Sequence, residues 1–449
     1  MTTPDAGVPV TLRATPTIYL DVTDLILWIR QHATVTGIQR VHLNYALHAI
    51  GHNVKFIMFY GRACRQVGLV DDAVIQHLGR MVSGQVTPDP ATLYRLCPNA
   101  RLRAWSDYSA KYEGKPLKHA WHSFASATAF HVVQWLYGRR MPAPSFAPGD
   151  VLLNVGRSWT IGGYVPKLEA LKRAHGLSAQ LLLHDVIPVA HIQNPAASRI
   201  FTRFVQQSFR AFDRFFTSSD YNRREIESLM LEFTGALKPI DRCLFGQHIN
   251  SPGLAKAALP CGLVDGRYLL SVGRIAASKN QARLLQAWAG LIDAQQDTGL
   301  QLVFVGKADK AYHELAATLA AHPSLRERVL FLGEVSDETL DALYRACYFT
   351  VFPSLIEGYG LPAAESISYG KFCLASCAAS IPEVAGEHAG YFDPLNVDDI
   401  RSQLAKFIQD KALLREREAL IQAMPRTSWA DATADLLARV SAPLPSVRR

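Results

Sequence analysis

Two glutamates that stand eight residues apart, Glu357 and Glu365, flank a glycine-rich loop at the start of a predicted helix. Gly358 and Gly360 allow that loop to turn tightly and to bring its backbone close to a ligand. Pro362 suits the first turn of a helix, where its missing N–H costs nothing. A helix N-terminus offers unpaired N–H donors and the positive end of a dipole, so the segment predicts a phosphate site flanked by carboxylates that reach hydroxyls. A helix cap alone would explain Glu365 but neither Glu357 nor the glycines.

A pair of cations follows another predicted strand. Arg274 comes directly after Gly273, and Lys279 lies five residues further on, at the start of the next predicted helix. Two cations at the mouth of a parallel sheet would neutralise a diphosphate, Arg through a fork of hydrogen bonds and Lys as a point charge. A solvated strand end would show the same pattern. Neither GxGxxG nor GxxxxGK[ST] follows a leading strand, which argues against NAD chemistry and ATP hydrolysis.

The first half of the chain carries two further candidate segments. Gly37 lies at the N-terminus of a predicted helix, and His184 is followed by Asp185 at the end of a predicted strand. Ligands of doubly wound sheets gather at the carboxyl ends of strands, so we expect both segments to face one crevice. A histidine at a strand end is more often structural than catalytic, but beside an aspartate in a cleft both roles stay open.

Short apolar runs alternate with helical patterns along two series of similar length, 17–245 and 263–427. A strand followed by a helix, repeated, is typical of a parallel sheet with crossover helices. The first series is interrupted at about 62–148 by a stretch that looks like an insertion, and 246–262 reads as an interdomain linker. The chain is therefore predicted to be an α/β protein with two Rossmann-like domains. The other expected segments are a disordered lead-in, a last helix and a tail, at 1–16, 428–441 and 442–449.

Length and composition exclude several classes of protein. A chain of 449 residues exceeds one ordinary core, and 49% hydrophobic with 19% charged residues is typical of a soluble globular protein. No apolar run reaches the roughly 18 residues of a membrane span, and the N-terminus lacks a secretory signal. The 7 cysteines are scattered without zinc spacing and no DxD metal motif occurs, so we expect free buried thiols, a cytoplasmic location and no metal site.

The net charge of +8 suggests an anionic partner, although it is modest for this length. Between residues 95 and 140, 8 Lys and Arg stand against 2 acids and are interleaved with aromatic residues. Two interpretations stay open: a surface that contacts an anionic membrane, and a packed insertion with a solvated basic face. We expect no nucleic-acid partner.

Several motifs together resemble glycosyltransferase family 4. They are GRIAASKN at 273–280, EGYGLPAAE at 357–365 and PEVAG at 382–386, within a region of dense similarity from about 268 to 399. In the first half, TGIQRV, HDVIPV and TSSDYNRREI resemble bacterial mannosyltransferase-like members that build O-antigen and capsule glycans. The resemblance implies the GT-B fold, with two facing Rossmann-like domains and a cleft between them. It also implies a retaining reaction without metal or cofactor, and a last helix that crosses back to the first domain.

The resemblance also implies roles for single residues. Arg274 and Lys279 would hold the donor diphosphate and stabilise it as it leaves. Glu357 would touch hydroxyls of the transferred sugar, and His184 would contact that sugar near the reacting carbon. Glu365 would bind the ribose of the nucleoside. The donor-binding set that the resemblance implies is Gly37, Arg274, Lys279, Gly358, Tyr359, Gly360, Leu361 and Glu365.

The resemblance thus implies a retaining hexosyltransferase, with mannose favoured, that uses a GDP- or UDP-sugar donor. The acceptor would be a glycan or lipid-linked glycan in cell-surface polysaccharide biosynthesis, such as lipopolysaccharide. Two alternatives stay open: a catalytically silent GT-B scaffold or nucleotide-sugar-binding module, and a GT-B enzyme of another reaction type such as an epimerase. A silent relative would be expected to lose the basic pair or one glutamate, and this chain keeps all four. A peripheral contact with the inner face of the cytoplasmic membrane, through residues 95–140, is a further hypothesis.

Overall fold

The computed structural model describes most of both predicted domains. Most of the lead-in, the middle of the predicted insertion with the whole of 95–140, and much of the linker lie outside the described residues. The described ranges are 15–29, 35, 37–61, 64–83, 85–86, 141–190, 195–247, 257–296, 299–308 and 312–444.

The N-terminal domain is built on a seven-stranded sheet, with the strands β1 (Ile18–Asp21), β2 (Val54–Tyr60), β3 (Gln66–Val70), β4 (Val151–Asn154), β5 (Ser178–Leu182), β6 (Arg214–Thr217) and β7 (Ile240–Arg242). Their spatial order is β3-β2-β1-β4-β5-β6-β7, and all pairs are parallel except β2 with β3. The accompanying helices are α1 (Thr23–Ile29), α2 (Gly37–Ala49), α3 (Asp72–Val82), α4 (Tyr164–His175), α5 (Ile187–Ala190), α6 (Pro195–Ala211) and α7 (Asp220–Thr234).

The C-terminal domain has a six-stranded parallel sheet, with the strands β8 (Tyr268–Val272), β9 (Gln301–Val305), β10 (Val329–Phe331), β11 (Phe349–Phe352), β12 (Cys373–Ser376) and β13 (Gly390–Phe392). Their order is β10-β9-β8-β11-β12-β13. The helices that follow are α8 (Gln281–Asp293), α9 (Tyr312–Ala321), α10 (Asp337–Ala346), α11 (Leu361–Ser368), α12 (Ile381–Ala385), α13 (Val397–Gln409), α14 (Lys411–Ala423) and α15 (Trp429–Ser441).

The central strands are apolar because helices cover both faces of each sheet. β1, β4, β11 and β12 are buried at every position. Parallel strands in such a layer read as continuous apolar runs rather than as an alternation of polar and apolar residues. This burial explains why the strands could be predicted from apolar runs in the sequence. The two sheets confirm the predicted α/β class with two Rossmann-like domains.

Each sheet contains a topological switch point, where two neighbouring parallel strands connect to strands on opposite sides. In the N-terminal sheet, β1 leads to β2 on one side, whereas its neighbour β4 leads to β5 on the other. In the C-terminal sheet, β8 and β11 diverge in the same way. Ligands of doubly wound sheets bind at the carboxyl ends of the strands at such switch points. These two places are therefore where functional residues are to be sought.

The C-terminal helix α15 belongs to the core of the N-terminal domain. Its Trp429 is buried beside Tyr45, with the two rings edge-on and 5.4 Å apart. The backbone of Gly246 passes directly under the indole, since a Cβ there would lie 2.4 Å from the ring. Ser428 caps the helix by accepting a hydrogen bond from the N–H of Asp431, at 3.0 Å. The helix α15 thus packs in the N-terminal domain although it follows the C-terminal domain in sequence.

Two features of the described structure differ from the sequence patterns. Part of the stretch at 62–148 is regular, because β3 forms the antiparallel edge of the sheet and α3 follows it. An edge strand is only partly buried, so its residues show no clear apolar run. The expectation of buried thiols is wrong for Cys261 and Cys377, which are exposed in a turn before β8 and just after β12.

Among the described helices, none is long and apolar enough to cross a membrane.

Candidate active site

The C-terminal switch point brings the two donor-side motifs together. The loop at 273–279 follows β8, and the loop at 354–360 follows β11, which is the direct neighbour of β8. The N–H of Leu355 donates to the carbonyl of Ser278 at 2.8 Å and ties the two loops to each other. The predicted cations and the predicted glutamate loop therefore share one edge of the sheet.

Lys279 and Glu357 form an ion pair at this edge. The ammonium Nζ of Lys279 donates to Oε1 of Glu357, and the two side chains are only 23% and 12% exposed. Lys279 also lies over the ring of Phe352, 5.8 Å from its centroid. Arg274, the other predicted cation, is exposed at the exit of β8. The pair places one cation and one carboxylate side by side, as a phosphate next to a sugar hydroxyl would require.

The loop between Glu357 and α11 is fixed from its own domain by one hydroxyl. Ser380 Oγ donates to the carbonyls of Glu357 at 2.8 Å and of Tyr359 at 3.2 Å. Gly360 caps α11 with a φ of 100°, a conformation that favours glycine. Pro362 has no N–H, and the N–H groups of Ala363 and Ala364 donate to the carbonyl of Gly360 at 3.0 and 3.3 Å. The anion site at this helix N-terminus therefore stays a prediction, with the N–H of Leu361 as its first donor.

The N-terminal domain holds the same loop from the opposite side. The carbonyl of Gly358 accepts from Ser218 Oγ at 3.3 Å, Ser219 Oγ at 3.1 Å and Asn222 Nδ2 at 2.5 Å. Asn222 Nδ2 also donates to the carbonyl of His184, at 2.8 Å. The two domains are thus in direct contact at the centre of the cleft. The TSSDYN segment, which the sequence offered only as part of a resemblance, supplies this contact.

Gly37 and Leu361 bring two helix N-termini face to face. Gly37 is the first residue of α2, and a Cβ on it would lie 3.3 Å from Cδ1 of Leu361, the first residue of α11. The positive ends of two helix dipoles, one from each domain, consequently approach the same part of the cleft. An anion placed there would be attracted by both.

His184 is held as a neutral hydrogen-bond acceptor. Its Nε2 lies 2.9 Å from the carbonyl oxygen of Val155, which can only accept, so Nε2 carries the proton and Nδ1 keeps its lone pair. Burial lowers the pKa of His184 to about 4; the bond to Val155 and the charge of Asp24 oppose that shift, and His42 adds to it. At neutral pH the ring can therefore accept a bond from a sugar hydroxyl but carries no positive charge.

Asp185 is a cleft residue whose protonation state could not be predicted from the sequence. Burial raises its pKa to about 6, and the charge of Glu357 adds to that shift, whereas the N–H of Ile187 and the charge of Lys279 oppose it. Its Cβ would lie 2.8 Å from a Cβ placed on Gly358, so it stands directly against the glycine loop. The only signal in the sequence was its position next to His184.

The change Asp185→Asn is expected to raise the melting temperature at pH 7.5. Because the folded-state pKa lies above the ordinary value of 3.8, the folded protein binds a proton more tightly than the unfolded chain. The protonated carboxyl of Asp185 makes its full contribution to the stability of the folded wild type below about pH 4, and that contribution is lost as the pH rises through about 6. Asparagine removes that loss and still accepts from Ile187 N, as Asp185 does at 3.0 Å.

Thermal unfolding at pH 7.5, 6.0 and 5.0 checks this prediction. The gain of Asp185→Asn over wild type should shrink as the pH falls. Asp265→Asn, at an exposed position before β8, is the matched control and should change little. A gain of the same size at every pH would show that the titration of Asp185 is not its cause.

Glu365 is bound by a cation from the opposite domain. Arg40, on α2, lies 2.7 Å from Oδ1 of Asp337 and 3.5 Å from Oε1 of Glu365. Tyr344 donates to Oε2 of Glu365 at 2.8 Å. Burial raises the pKa of Glu365, whereas Arg40 and Tyr344 act against that shift. The predicted ribose ligand is therefore one member of an interdomain cluster, and Arg40 is a residue that the sequence analysis missed.

A small apolar cavity lies beneath His184 in the N-terminal domain. Its volume is about 140 Å³, and its walls are formed mainly by leucine and aromatic side chains from β5, α6 and the loop after β4. His184, Asp185 and Trp159 belong to this lining.

In the part of the chain that the structure describes, no group of 3 or more His, Cys, Asp and Glu residues could hold a metal ion.

Two doubly wound domains meet over a shared cleft, with Lys279, Glu357 and the N-termini of α2 and α11 beside it, which is the arrangement expected of the predicted GT-B class. Residues 263–426 match the model of the family described as Glycosyl transferases group 1. The resemblance seen in GRIAASKN and in the two glutamates is thereby confirmed for the C-terminal domain.

Known relatives agree with this class. The chain is 36% identical over 166 residues to the serotype-specific mannosyltransferase WbdA of Escherichia coli, which is 36% of this chain and 20% of that protein. It is 32% identical over 144 residues to the O-antigen chain mannosyltransferase B of the same species, or 32% of this chain and 37% of that one. The match thus spans about a fifth to two fifths of these relatives.

A solved structure covers nearly the whole fold. Anabaena HepE, determined in complex with UDP-glucose, superposes with a TM-score of 0.58 at 14% identity, over 95% of this chain and 99% of its own. At this identity the likeness concerns the fold alone. It confirms the predicted GT-B architecture of two facing Rossmann-like domains.

Proposed function

We propose that this protein is a retaining, metal-independent hexosyltransferase that takes a sugar from a nucleoside-diphosphate donor. The observation that carries the proposal is the convergence of Lys279, Glu357 and the N-termini of α2 and α11 on one part of the cleft. Such an arrangement offers fixed positive charge to a diphosphate and a carboxylate to the adjoining sugar. The match of residues 263–426 to a glycosyltransferase family supports it.

In the proposed reaction the bond between C1 of the sugar and the diphosphate oxygen breaks. The electron pair leaves with the nucleoside diphosphate, whose new charge is stabilised by Lys279, Arg274 and the helix N-termini. The acceptor hydroxyl forms the new bond to C1 on the same face, and its proton passes to an oxygen of the leaving phosphate. Neutral His184 accepts a hydrogen bond from a sugar hydroxyl through Nδ1, and Glu357 accepts another.

The nucleoside end of the donor would lie against Glu365. Since Glu365 already holds Arg40 of the opposite domain, ribose binding and domain contact involve the same carboxylate. Closure of the cleft over the donor would exclude water and limit hydrolysis of the sugar. The proposal therefore makes Arg40 a residue that couples donor binding to closure.

The sugar and the acceptor are proposed from the relatives. WbdA and the O-antigen chain enzyme are both described as mannosyltransferases, which favours mannose from GDP-mannose and an acceptor in O-antigen or related surface glycans. HepE was determined with UDP-glucose, so a uridine nucleotide is the alternative donor. We propose a cytoplasmic location, where nucleotide sugars are made, with residues 95–140 contacting the membrane.

A donor panel tests this function. GDP-mannose, UDP-glucose and UDP-N-acetylglucosamine are added to the protein in the presence of EDTA, and thermal shift and sugar release are measured. One donor is expected to stabilise the protein and to be hydrolysed slowly without added metal. Donor turnover that stops in EDTA and returns with Mg²⁺ would contradict metal independence. No binding by any donor, in folded protein, would favour the scaffold alternative.

A further inference from the structure

The N-terminal switch point is a second ligand crevice with its own chemistry. β1 and β4 are adjacent and parallel there, and they are followed by the segments 22–29 and 155–160. In the C-terminal domain the corresponding place carries the donor groups. A ligand crevice is expected at the N-terminal switch point for the same topological reason, and none of the groups assigned to the donor lies in these two segments.

Arg157 is the cation at this crevice, and two tryptophans hold it. Its guanidinium carbon lies 4.9 Å from the centroid of Trp28 and 5.8 Å from that of Trp159. Trp159 is itself fixed edge-on against Phe201, at 4.9 Å. Guanidinium groups stack well on indole faces, so the side chain is positioned before any ligand arrives.

The charge of Arg157 is not consumed by an ion pair. In the described parts of the chain, no carboxylate oxygen lies within ion-pair distance of its guanidinium, and its buried Nε has no hydrogen-bond partner. Burial raises the pKa of Asp24 and the charge of Arg157 opposes that shift, but the Oδ2 of Asp24 accepts from the backbone N–H of Arg157 and from Gln39 Nε2, both at 3.0 Å. A stacked cation outside an ion pair, with an unpartnered Nε–H, is a candidate site for an anion.

The chain segment around Arg157 contacts His184 and shares a cavity lining with it. The carbonyl of Val155, two residues before Arg157, is the partner of His184 at 2.9 Å. Gly156 and Trp159, on either side of Arg157, line the same cavity as His184. The rest of that lining is mainly apolar and holds no Lys or Arg, so Arg157, between two of its residues in sequence, is a cation that borders this part of the cleft.

We propose that Arg157 binds an anionic group, a phosphate, carried by the sugar acceptor, with Trp28 and Trp159 beside the sugar. The inference rests on the proposed function, since it names the acceptor class of that same cleft. A guanidinium binds phosphate through paired N–H donors, and aromatic faces pack against the C–H face of a sugar. The phosphate could belong to a soluble sugar phosphate or to the phosphodiester of a lipid-linked sugar, and both present the same group to Arg157.

Binding of defined probes tests the proposal. The probes are methyl α-mannoside, mannose 6-phosphate and mannose joined to octanol through a phosphodiester, each titrated by calorimetry with the donor site filled by saturating GDP or UDP. Wild type is expected to bind a phosphorylated probe roughly tenfold or more tightly than methyl α-mannoside. Arg157→Ala should remove that difference, and Arg157→Gln, which keeps a long side chain between the tryptophans, should do the same. Arg173→Ala, at an exposed position of α4, is the control.

The outcomes separate this proposal from the proposed function. Tight binding of the octyl phosphodiester alone identifies a lipid-linked acceptor, and equal binding of both phosphorylated probes identifies the phosphate itself as sufficient. Equal or absent binding of neutral and phosphorylated probes by wild type overturns the proposal, even where a donor is hydrolysed. A weaker affinity for GDP or UDP in Arg157→Gln also overturns it, because Arg157 would then belong to the donor site. Loss of donor hydrolysis in wild type, with phosphate-dependent probe binding intact, counts against the proposed reaction instead.

Discussion

Replacing Lys279 by alanine is expected to lower kcat for donor turnover by about 10²- to 10³-fold, the effect of removing one fixed donor to a developing anion. Lys279 is the cation of the half-buried pair with Glu357, so its position at the cleft is fixed before a diphosphate binds. Its loss also leaves the Glu357 carboxylate, 12% exposed, without its partner. Steady-state turnover and single-turnover sugar release, measured with the donor that the panel identifies, give the size of the effect.

A control and a second variant separate the two consequences of this change. Lys406→Ala removes an exposed lysine on α13, a helix that contributes no residue to the candidate site, and should leave kcat unchanged. The double variant Lys279→Ala with Glu357→Gln removes both charges together. If repulsion by an unpaired Glu357 caused the loss, the double variant would recover activity relative to Lys279→Ala. Wild-type kcat in Lys279→Ala would show that this cation does not stabilise the leaving group.

The donor side of the site could be predicted from the sequence because its parts are local. The loop, the helix start and both carboxylates lie within residues 357–365, and Lys279 follows a strand whose apolar run marks its end. The carboxyl ends of parallel strands lie at one edge of the sheet. The order of the strands is therefore enough to place these groups in one crevice. The same locality explains why the α/β class could be read from alternating patterns.

The contacts between domains could not be predicted in this way. Arg40 meets Asp337 and Glu365 only because two separately folded domains lie against each other. No periodicity or spacing records the angle between domains, and Arg40 within TGIQRV looks like any polar residue on a helix. The pKa of Asp185 likewise depends on burial and on Glu357, neither of which its neighbours in sequence define.

The change Gly358→Ala is expected to reduce kcat by about 10²-fold, as misplacement of reacting groups by about 1 Å does. An added Cβ would stand 2.8 Å from the carbonyl oxygen of His184 and 2.8 Å from the Cβ of Asp185. These are two positions of the opposite domain, and one of them is backbone that cannot rotate away. The domains would have to separate, and the three hydrogen bonds that the Gly358 carbonyl accepts would lengthen together.

This change should act on domain contact rather than on donor affinity. Alanine keeps the backbone N–H of residue 358, so the Kd of the donor for the C-terminal domain should change little while kcat falls. Gly162→Ala is the matched control, because a Cβ there meets no atom within 4 Å. Small-angle scattering with donor bound should give a larger radius of gyration for Gly358→Ala than for wild type or Gly162→Ala. If kcat falls but the radius does not change, the loss arises within the glycine loop itself, and the contact of His184 and Asp185 with Gly358 is not what aligns the two domains for transfer.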